Sequence, residues 1–214
     1  MAERERLFTP GPTRIPEAVQ RAMSDRLIYH RGPKFPELIR EAIAGLQEVF
    51  PTRRDVIVTS TSGTGAMEAA VVNTVDPGDR VLVVHAGSFG VRWVDLCRSY
   101  GAEVIEASFP WGESADPDVV ARTLGETKDV RAIFATQSET STGVLHDIEA
   151  IGRIAADAES LFVVDTISSV VAHALPLEDW GVDVAVTASQ KGLGLPPGLG
   201  VVALSPGAWA AADR

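Results

Sequence analysis

The sequence has little cysteine, few basic residues and no long apolar segment. Its single cysteine, Cys97, cannot form an internal disulfide, so the chain suits a reducing compartment and we expect a cytoplasmic location. The 19 basic residues are outnumbered by 29 acidic ones, and the net charge of −10 leaves no basic surface for the phosphates of a nucleic acid. No apolar run reaches the roughly 18 to 20 residues of a membrane span, and the charged start MAERERLFTPGP lacks the apolar core of a secretory signal. Neither nucleic acid nor membrane is an expected partner.

Histidine is also scarce, and its placement does not indicate a metal site. His85, His146 and His173 lie far apart in the sequence, without the spacing of metal ligands. We interpret them as structural or surface residues and expect no bound metal.

What is present is an alternation of short β-rich runs with longer helical patterns. The strand candidates are residues 55–60, 80–86, 102–109, 130–137, 161–168, 183–189 and 200–205, and the helix candidates are 34–50, 65–75, 89–101, 117–125 and 147–158. Apolar residues on both sides of these strands predict a sheet that is covered on both faces. The fold class is therefore α/β, a mostly parallel mixed sheet with helices on both faces. Because only residues 190–199 join the last two strands, one of them is expected to pair antiparallel.

Ligands of such sheets bind at the carboxyl ends of the strands, and the first strand end contains an anion-site pattern. In DVIVTSTSGTGAMEAAV a strand is followed by a turn with Ser62, Gly63 and Thr64 and then by a helix. Free N–H groups and the positive end of a helix dipole would meet there, which is typical of a phosphate site. A capped helix start without any ligand would use the same residue types. The turn lacks both G-x-G-x-x-G and the lysine of a P-loop.

Two further strand ends place a carboxylate and an amine at the same edge. Asp165 follows an apolar run in LFVVD, and Lys191 follows DVAVTASQ within a loop rich in glycine and proline. Taken alone, such an aspartate is more often structural, and a loop lysine is usually exposed. A lysine desolvated in a pocket, however, becomes a usable nucleophile. Amine, carboxylate and anion site together match pyridoxal 5′-phosphate, which needs a lysine for its Schiff base, an acid beside its ring nitrogen and a phosphate cradle.

The same residues resemble the class V aminotransferases of the fold-type I pyridoxal-phosphate enzymes, in particular the alanine–glyoxylate and serine–pyruvate branch. The resemblance extends from the TPGP arm to the end of the chain and is carried, in order, by PGPTRIPEAV, TSGTGAMEAA, DPGDRVLV, ETSTGVL, VVDTISS and SQKGLGLPPGLG. Several motifs in a fixed order are far more specific than any one of them.

The resemblance implies a role for each candidate site residue. Lys191 would form the Schiff base and move the proton, and Asp165 would pair with the pyridine nitrogen. The phosphate would be held by the turn that contains Ser62, Gly63 and Thr64, together with Gln190. The remaining contacts to the ring would come from Thr140 at its oxygen, Ile167 beneath it and Phe89 stacked over it, although Phe89 could equally be a core aromatic of its helix. His30 falls in a segment that lies near the substrate entrance in relatives.

The resemblance also implies a domain organisation and partners. Residues 1–20 would form an N-terminal arm and residues 21–214 the cofactor-binding large domain, while the small domain that grips the substrate carboxylate in this family is absent from the chain. We expect a fragment or one half of a split enzyme, acting on a small amino acid and a 2-oxo acid such as glyoxylate or pyruvate. A homodimer, or a heteromer with a polypeptide that supplies the small domain, is the expected assembly.

Three alternatives stay open at the sequence level. A lyase or cysteine desulfurase of the same family is disfavoured because such enzymes carry a histidine over the ring and another before the lysine, where this chain has Phe89 and Gln190. The chain could instead be a non-catalytic cofactor-binding subunit of a heteromer. It could also bind a phosphate ligand without Schiff-base chemistry.

Overall fold

A computed structural model describes residues 6–213 of the 214. The strands are β1 (Asp55–Thr59), β2 (Arg80–His85), β3 (Glu103–Ser108), β4 (Val130–Thr136), β5 (Ser138–Glu139), β6 (Val144–Leu145), β7 (Leu161–Asp165), β8 (Val184–Ala188) and β9 (Gly200–Leu204). The helices are α1 (Glu17–Met23), α2 (Phe35–Val49), α3 (Gly63–Thr74), α4 (Ser88–Ser99), α5 (Pro117–Gly125), α6 (Ile148–Asp157) and α7 (Pro206–Ala212). None of the helices in this described part is long and apolar enough to cross a membrane.

Seven of the strands form one sheet in the order β1-β9-β8-β7-β4-β2-β3. The pairs from β8 to β3 are all parallel, whereas β9 runs antiparallel to both β8 and β1. The prediction of a mostly parallel mixed sheet is confirmed, and β9 is the antiparallel strand. The reason is the short link between β8 and β9, which reverses direction without a crossover helix.

Helices cover both faces of the sheet, and the strands supply apolar side chains to each. Along β2, Leu82 and Val84 belong to one core cluster, which also receives buried residues of α5 and α6. Val81 and Val83 point into the other cluster, together with buried residues of α3 and α4. This alternation follows from the two-residue period of a strand, and it explains why β2 and β8 are apolar almost throughout.

Three features differ from the sequence prediction. Helix α1 and the short β5–β6 hairpin were not expected, because a seven-residue helix and two-residue strands are too short to show a period. Helix α3 begins at Gly63 rather than at residue 65, since the Ser62 hydroxyl accepts a hydrogen bond from the Gly65 N–H at 3.1 Å and caps the helix two residues earlier.

Candidate active site

The carboxyl ends of six strands meet at one edge of the sheet. Strands β2, β3, β4, β7 and β8 run parallel, and β1 has the same direction because β9 is antiparallel to both β1 and β8. Thr59 at the end of β1 and Ala188 at the end of β8 both pair with Gly200. The residues that follow these strands therefore lie at a common edge, which includes the turn before α3, Asp165 and Lys191.

Asp165 is the last residue of β7 and is buried, with 3% of its surface exposed. Burial raises its pKa from 3.8 to about 7, and the nearby Glu139 carboxylate adds to this effect. The Ile167 N–H, which donates to Oδ1 at 2.7 Å, and the charges of Arg92 and Lys191 act in the opposite direction without cancelling it. The site thus contains a buried carboxyl group that a further cationic partner would stabilise in its charged form.

Lys191 lies in the loop after β8, and its amine is close to the chain's N-terminal segment. Burial lowers the pKa of the amine, and the Asp165 carboxylate partly opposes this shift. The Nζ atom donates a hydrogen bond to the Pro10 carbonyl at 2.8 Å. A partly desolvated amine of this kind releases its proton more readily than an exposed lysine does.

The N-terminal segment is fastened to the loop that contains Lys191. The Thr13 N–H donates to the Gln190 carbonyl at 2.9 Å, and the Thr13 hydroxyl donates to the Lys191 carbonyl at 2.8 Å. Gly11 has φ of +134°, and a Cβ there would lie 2.8 Å from the Lys191 Nζ. The segment around Pro10 therefore forms one wall of the space around the amine, and this wall requires a glycine.

The start of α3 packs tightly against the residues that follow β7 and β8. A Cβ on Gly63 would lie 2.7 Å from the Ile167 Cδ1 and 3.1 Å from the Ala188 Cβ. The first N–H groups of a helix have no partner within the helix, so those of Gly63 and Thr64 are suited to an anion. Glycine at this position lets the helix start and Ile167 lie in direct contact.

Phe89, Thr140 and Gln190 also lie at this edge. The Phe89 ring is half-buried near the start of α4, outside both core clusters, so it is not the core aromatic of the alternative interpretation. Thr140 shares a short hydrogen bond between hydroxyl groups with Ser168 in the segment after β7. The side-chain oxygen of Gln190 is buried and has no hydrogen-bond partner within residues 6–213.

His30 is not brought into this group. Its side chain is exposed, and its ring packs edge-on against Tyr29 at a centroid distance of 5.2 Å. Within the described residues, no three histidine, cysteine, aspartate or glutamate side chains cluster as metal ligands would.

Glu139 is a site residue that sequence reasoning missed. The carboxylate is fully buried and accepts hydrogen bonds from the Phe89 N–H at 3.1 Å, the Gly90 N–H at 2.9 Å and the Ser141 hydroxyl at 2.6 Å. It thereby caps α4, whose own N-cap, Gly87, has no side chain. Its position after β4 was the available signal, but the N–H groups of α4 that it binds lie about fifty residues earlier in the chain.

The fold and site define a class of protein, and the comparison with known families agrees. The class-V aminotransferase family matches residues 7–212, and the chain belongs to this family. The family uses pyridoxal phosphate and has the fold-type I large domain that is described above.

Individual relatives are similar over the whole chain. It is 40% identical to the L-aspartate–glyoxylate aminotransferase of Paracoccus denitrificans, over 100% of this chain and 55% of that protein. It is also 40% identical to the small subunit of a soluble hydrogenase of Synechococcus sp., over 99% of this chain and 56% of that protein. The crystal structure of an alanine–glyoxylate aminotransferase from Nostoc sp. matches with a TM-score of 0.93 at 34% identity, over 100% of this chain and 58% of that one. The chain thus spans little more than half the length of these relatives.

Proposed function

We propose that this chain is the cofactor-binding part of a pyridoxal-phosphate-dependent aminotransferase that moves an amino group between a small amino acid and a 2-oxo acid. The observation that carries the proposal is the placement of a half-buried amine and a buried carboxyl group at the sheet edge where α3 begins. Lys191 and Asp165 are close enough for each to affect the other's pKa.

The residues at this edge fit pyridoxal phosphate in charge and in space. Asp165 is buried with a raised pKa, so a protonated ring nitrogen would provide the cation that it lacks. The start of α3 offers N–H groups at Gly63 and Thr64 for a phosphate. The buried, unpartnered oxygen of Gln190 offers a further polar contact for the ligand.

Bound pyridoxal phosphate supplies an aldehyde that condenses with amines and a ring that withdraws electrons from the substrate. Lys191 would hold the cofactor through Nζ until the substrate amine takes its place, and the freed amine would then move the proton of the substrate Cα to the cofactor carbon. Its lowered pKa favours the neutral amine that both tasks need. Asp165 would keep the ring nitrogen protonated, while Thr140 and Phe89 would orient the ring. Ile167 would exclude water from its other face.

For the substrates, we propose glyoxylate or pyruvate as amino acceptor and a small amino acid as donor. The names of two relatives support glyoxylate, whereas their amino donors, L-aspartate and alanine, differ. The closeness of Pro10 and Gly11 to the amine favours small substrates. Because the chain spans little more than half of its relatives, turnover is proposed for the whole protein, including any further segment or second polypeptide.

We also propose that the chain associates with a second copy or with such a polypeptide. Large apolar side chains are exposed along its N-terminal part, namely Leu7, Phe8, Met23, Leu27, Ile28, Tyr29 and Leu38. No residue of α1 or α2 is fully buried, although Ile43, Leu46 and Val49 of α2 pack against the core. Exposed apolar side chains gathered in one part of a chain are typical of a surface that a partner covers. Light scattering after gel filtration should detect a species larger than 22.7 kDa.

Reduction by borohydride provides the test of the covalent site. The sequence has three lysines, Lys34, Lys128 and Lys191, so the modified residue can be assigned by peptide mass. We expect pyridoxal phosphate to give a visible absorption band that borohydride bleaches, with the label on Lys191. Lys191→Ala should abolish the band with the fold intact, and Lys128→Ala, at an exposed position, should leave it unchanged.

Other outcomes separate the alternatives. If the reduced cofactor is found on Lys34 or Lys128, or if Lys191→Ala shows a normal band, Lys191 is not the lysine that binds the cofactor. Binding of pyridoxal phosphate without any such band would favour a phosphate-binding protein. A band that no amino donor converts to the pyridoxamine spectrum, with all co-encoded partners present, would favour a non-catalytic subunit.

A further inference from the structure

Arg92 contacts two of the proposed cofactor-binding residues, although neither the sequence motifs nor the comparisons single it out. It lies on α4 three residues after Phe89, so both side chains are on one face of the helix. Its Nη1 donates a hydrogen bond to the Thr64 Oγ1 at 2.9 Å. Its guanidinium carbon lies 5.0 Å from the centre of the Phe89 ring. One cation therefore connects the start of α3 with the ring that would stack on the cofactor.

The hydrogen bond from Arg92 affects whether the Thr64 hydroxyl acts as a donor or as an acceptor towards a ligand. A threonine hydroxyl has one hydrogen to donate and two lone pairs that accept. Since Oγ1 already accepts from Arg92, its own hydrogen is left for an acceptor in front of the helix. Arg92 thus leaves the Thr64 hydroxyl able to donate to a ligand that binds at the start of α3.

Arg92 keeps a charge that no ion pair offsets in the part of the chain that the structure describes, although it acts at a distance on the buried Asp165. Within residues 6–213, no acidic side chain forms an ion pair with it, whereas Arg98 on the same helix pairs with Glu106 at 2.6 Å. Arg92 is half-buried, so solvent screens its charge less than that of Arg98. Its field extends far enough to affect Asp165. An unpaired cation beside a helix start raises the positive potential there.

We propose that Arg92 is a positioning residue of the cofactor site, which holds the Thr64 hydroxyl as a donor to the cofactor phosphate and steadies the Phe89 ring. The inference rests on the proposed function and adds a residue to it. Arg92 acts mainly at the phosphate end, because its only hydrogen bond to a site residue within the described part of the chain is to Thr64.

Affinity for two ligands that differ only in the phosphate tests this role. Titration with pyridoxal phosphate and with pyridoxal, followed by tryptophan fluorescence, gives dissociation constants without any turnover. We expect Arg92→Met to weaken pyridoxal phosphate about tenfold, the scale of one charge-assisted hydrogen bond, and pyridoxal less than threefold. Arg92→Lys should recover part of the loss, since it keeps the charge but not the planar group.

Arg98→Met is the matched control, because it removes an arginine from the same helix at an exposed position away from Thr64. It should bind both ligands as the wild type does. A double-mutant cycle with Thr64→Val separates positioning from a general effect on the fold. If Arg92 acts through Thr64, Arg92→Met should weaken the affinity for pyridoxal phosphate less than threefold in the Thr64→Val background.

The failures of the two proposals can be told apart. A wild-type chain with no band and no measurable affinity for pyridoxal phosphate would overturn the proposed function and this inference together. Three results would overturn the inference alone, provided that the wild type binds pyridoxal phosphate normally. Arg92→Met could bind both ligands as tightly as Arg98→Met does, or lose affinity for both ligands equally. Its loss of affinity could also be additive with that of Thr64→Val. If thermal unfolding shows that Arg92→Met does not fold, the same comparisons apply to Arg92→Lys.

Discussion

Replacing Asp165 by asparagine should change how the stability of the cofactor-free chain depends on pH. The wild-type carboxyl group is buried, and its pKa rises from 3.8 to about 7 on folding. Asparagine has the same shape, can accept the hydrogen bond from the Ile167 N–H and does not titrate. The variant therefore removes the cost of a buried charge with little change in packing.

The sign of the effect follows from which state binds the proton. Below pH 3.8 both the folded and the unfolded chain carry a protonated Asp165. Between pH 3.8 and about 7 the unfolded chain ionises first, so the free energy of unfolding falls as the pH rises and is lowest above pH 7. At about 1.4 kcal/mol for each unit of pKa, the whole loss is about 4 kcal/mol, of which about 2 kcal/mol falls between pH 5.5 and 8.

Urea unfolding of the cofactor-free proteins at pH 5.5 and pH 8 measures this quantity. The free energy of unfolding of Asp165→Asn, relative to wild type, should rise by about 2 kcal/mol between the two pH values. Asp95→Asn, at an exposed position on α4, should show no such change. Saturating pyridoxal phosphate should then stabilise the wild type more than Asp165→Asn, because only the carboxylate gains a cationic partner.

Two results would refute this reasoning. An equal difference between Asp165→Asn and wild type at both pH values would mean that the carboxyl group titrates as it does in the unfolded chain. Equal stabilisation of both proteins by pyridoxal phosphate would mean that Asp165 does not face the ring nitrogen.

Two glycines allow further tests. Gly63→Ala places a Cβ 2.7 Å from the end of the Ile167 side chain, and because that end can rotate we expect a stability loss of only about 1 kcal/mol in urea unfolding. Its affinity for pyridoxal phosphate should fall at least fivefold in fluorescence titration, because Ile167 moves from its place beside the start of α3. Unchanged affinity would count against a phosphate site at the start of α3. Gly11→Ala should slow the appearance of the visible band, since its Cβ would overlap the Lys191 side chain. Gly112→Ala, also at positive φ but with open space around it, controls for backbone strain and should leave the rate of band formation unchanged.

The sequence predicted the main elements because their signals are local. Apolar runs such as 80–86 and 183–189 indicate strands by composition, and the shortness of 190–199 indicates an antiparallel return. The structure places all seven predicted strands in one sheet. Helix α1 and the β5–β6 hairpin were missed because elements this short are held by their surroundings rather than by their own pattern.

For the candidate site, the residues that the sequence singled out at three strand ends lie at one edge of the sheet. The roles of Lys191, Asp165 and the turn before α3 remain predictions for the experiments above. Glu139 and Arg92 could not be found in this way. A glutamate in a two-residue strand and an arginine on an amphipathic helix are common, and only their hydrogen-bond partners in the folded structure distinguish them.

The sequence by itself determined which chemical groups stand at the strand ends, because strand period, helix caps and glycine-rich turns depend on residues a few positions apart. Only the tertiary structure decided their neighbours. Lys191 meets Pro10 across 181 positions, and Glu139 caps a helix that begins about 50 positions earlier. Such contacts depend on the strand order and on close packing at Gly11 and Gly63. Strand order and packing form only when helices and strands that are distant in the chain bury their apolar faces together.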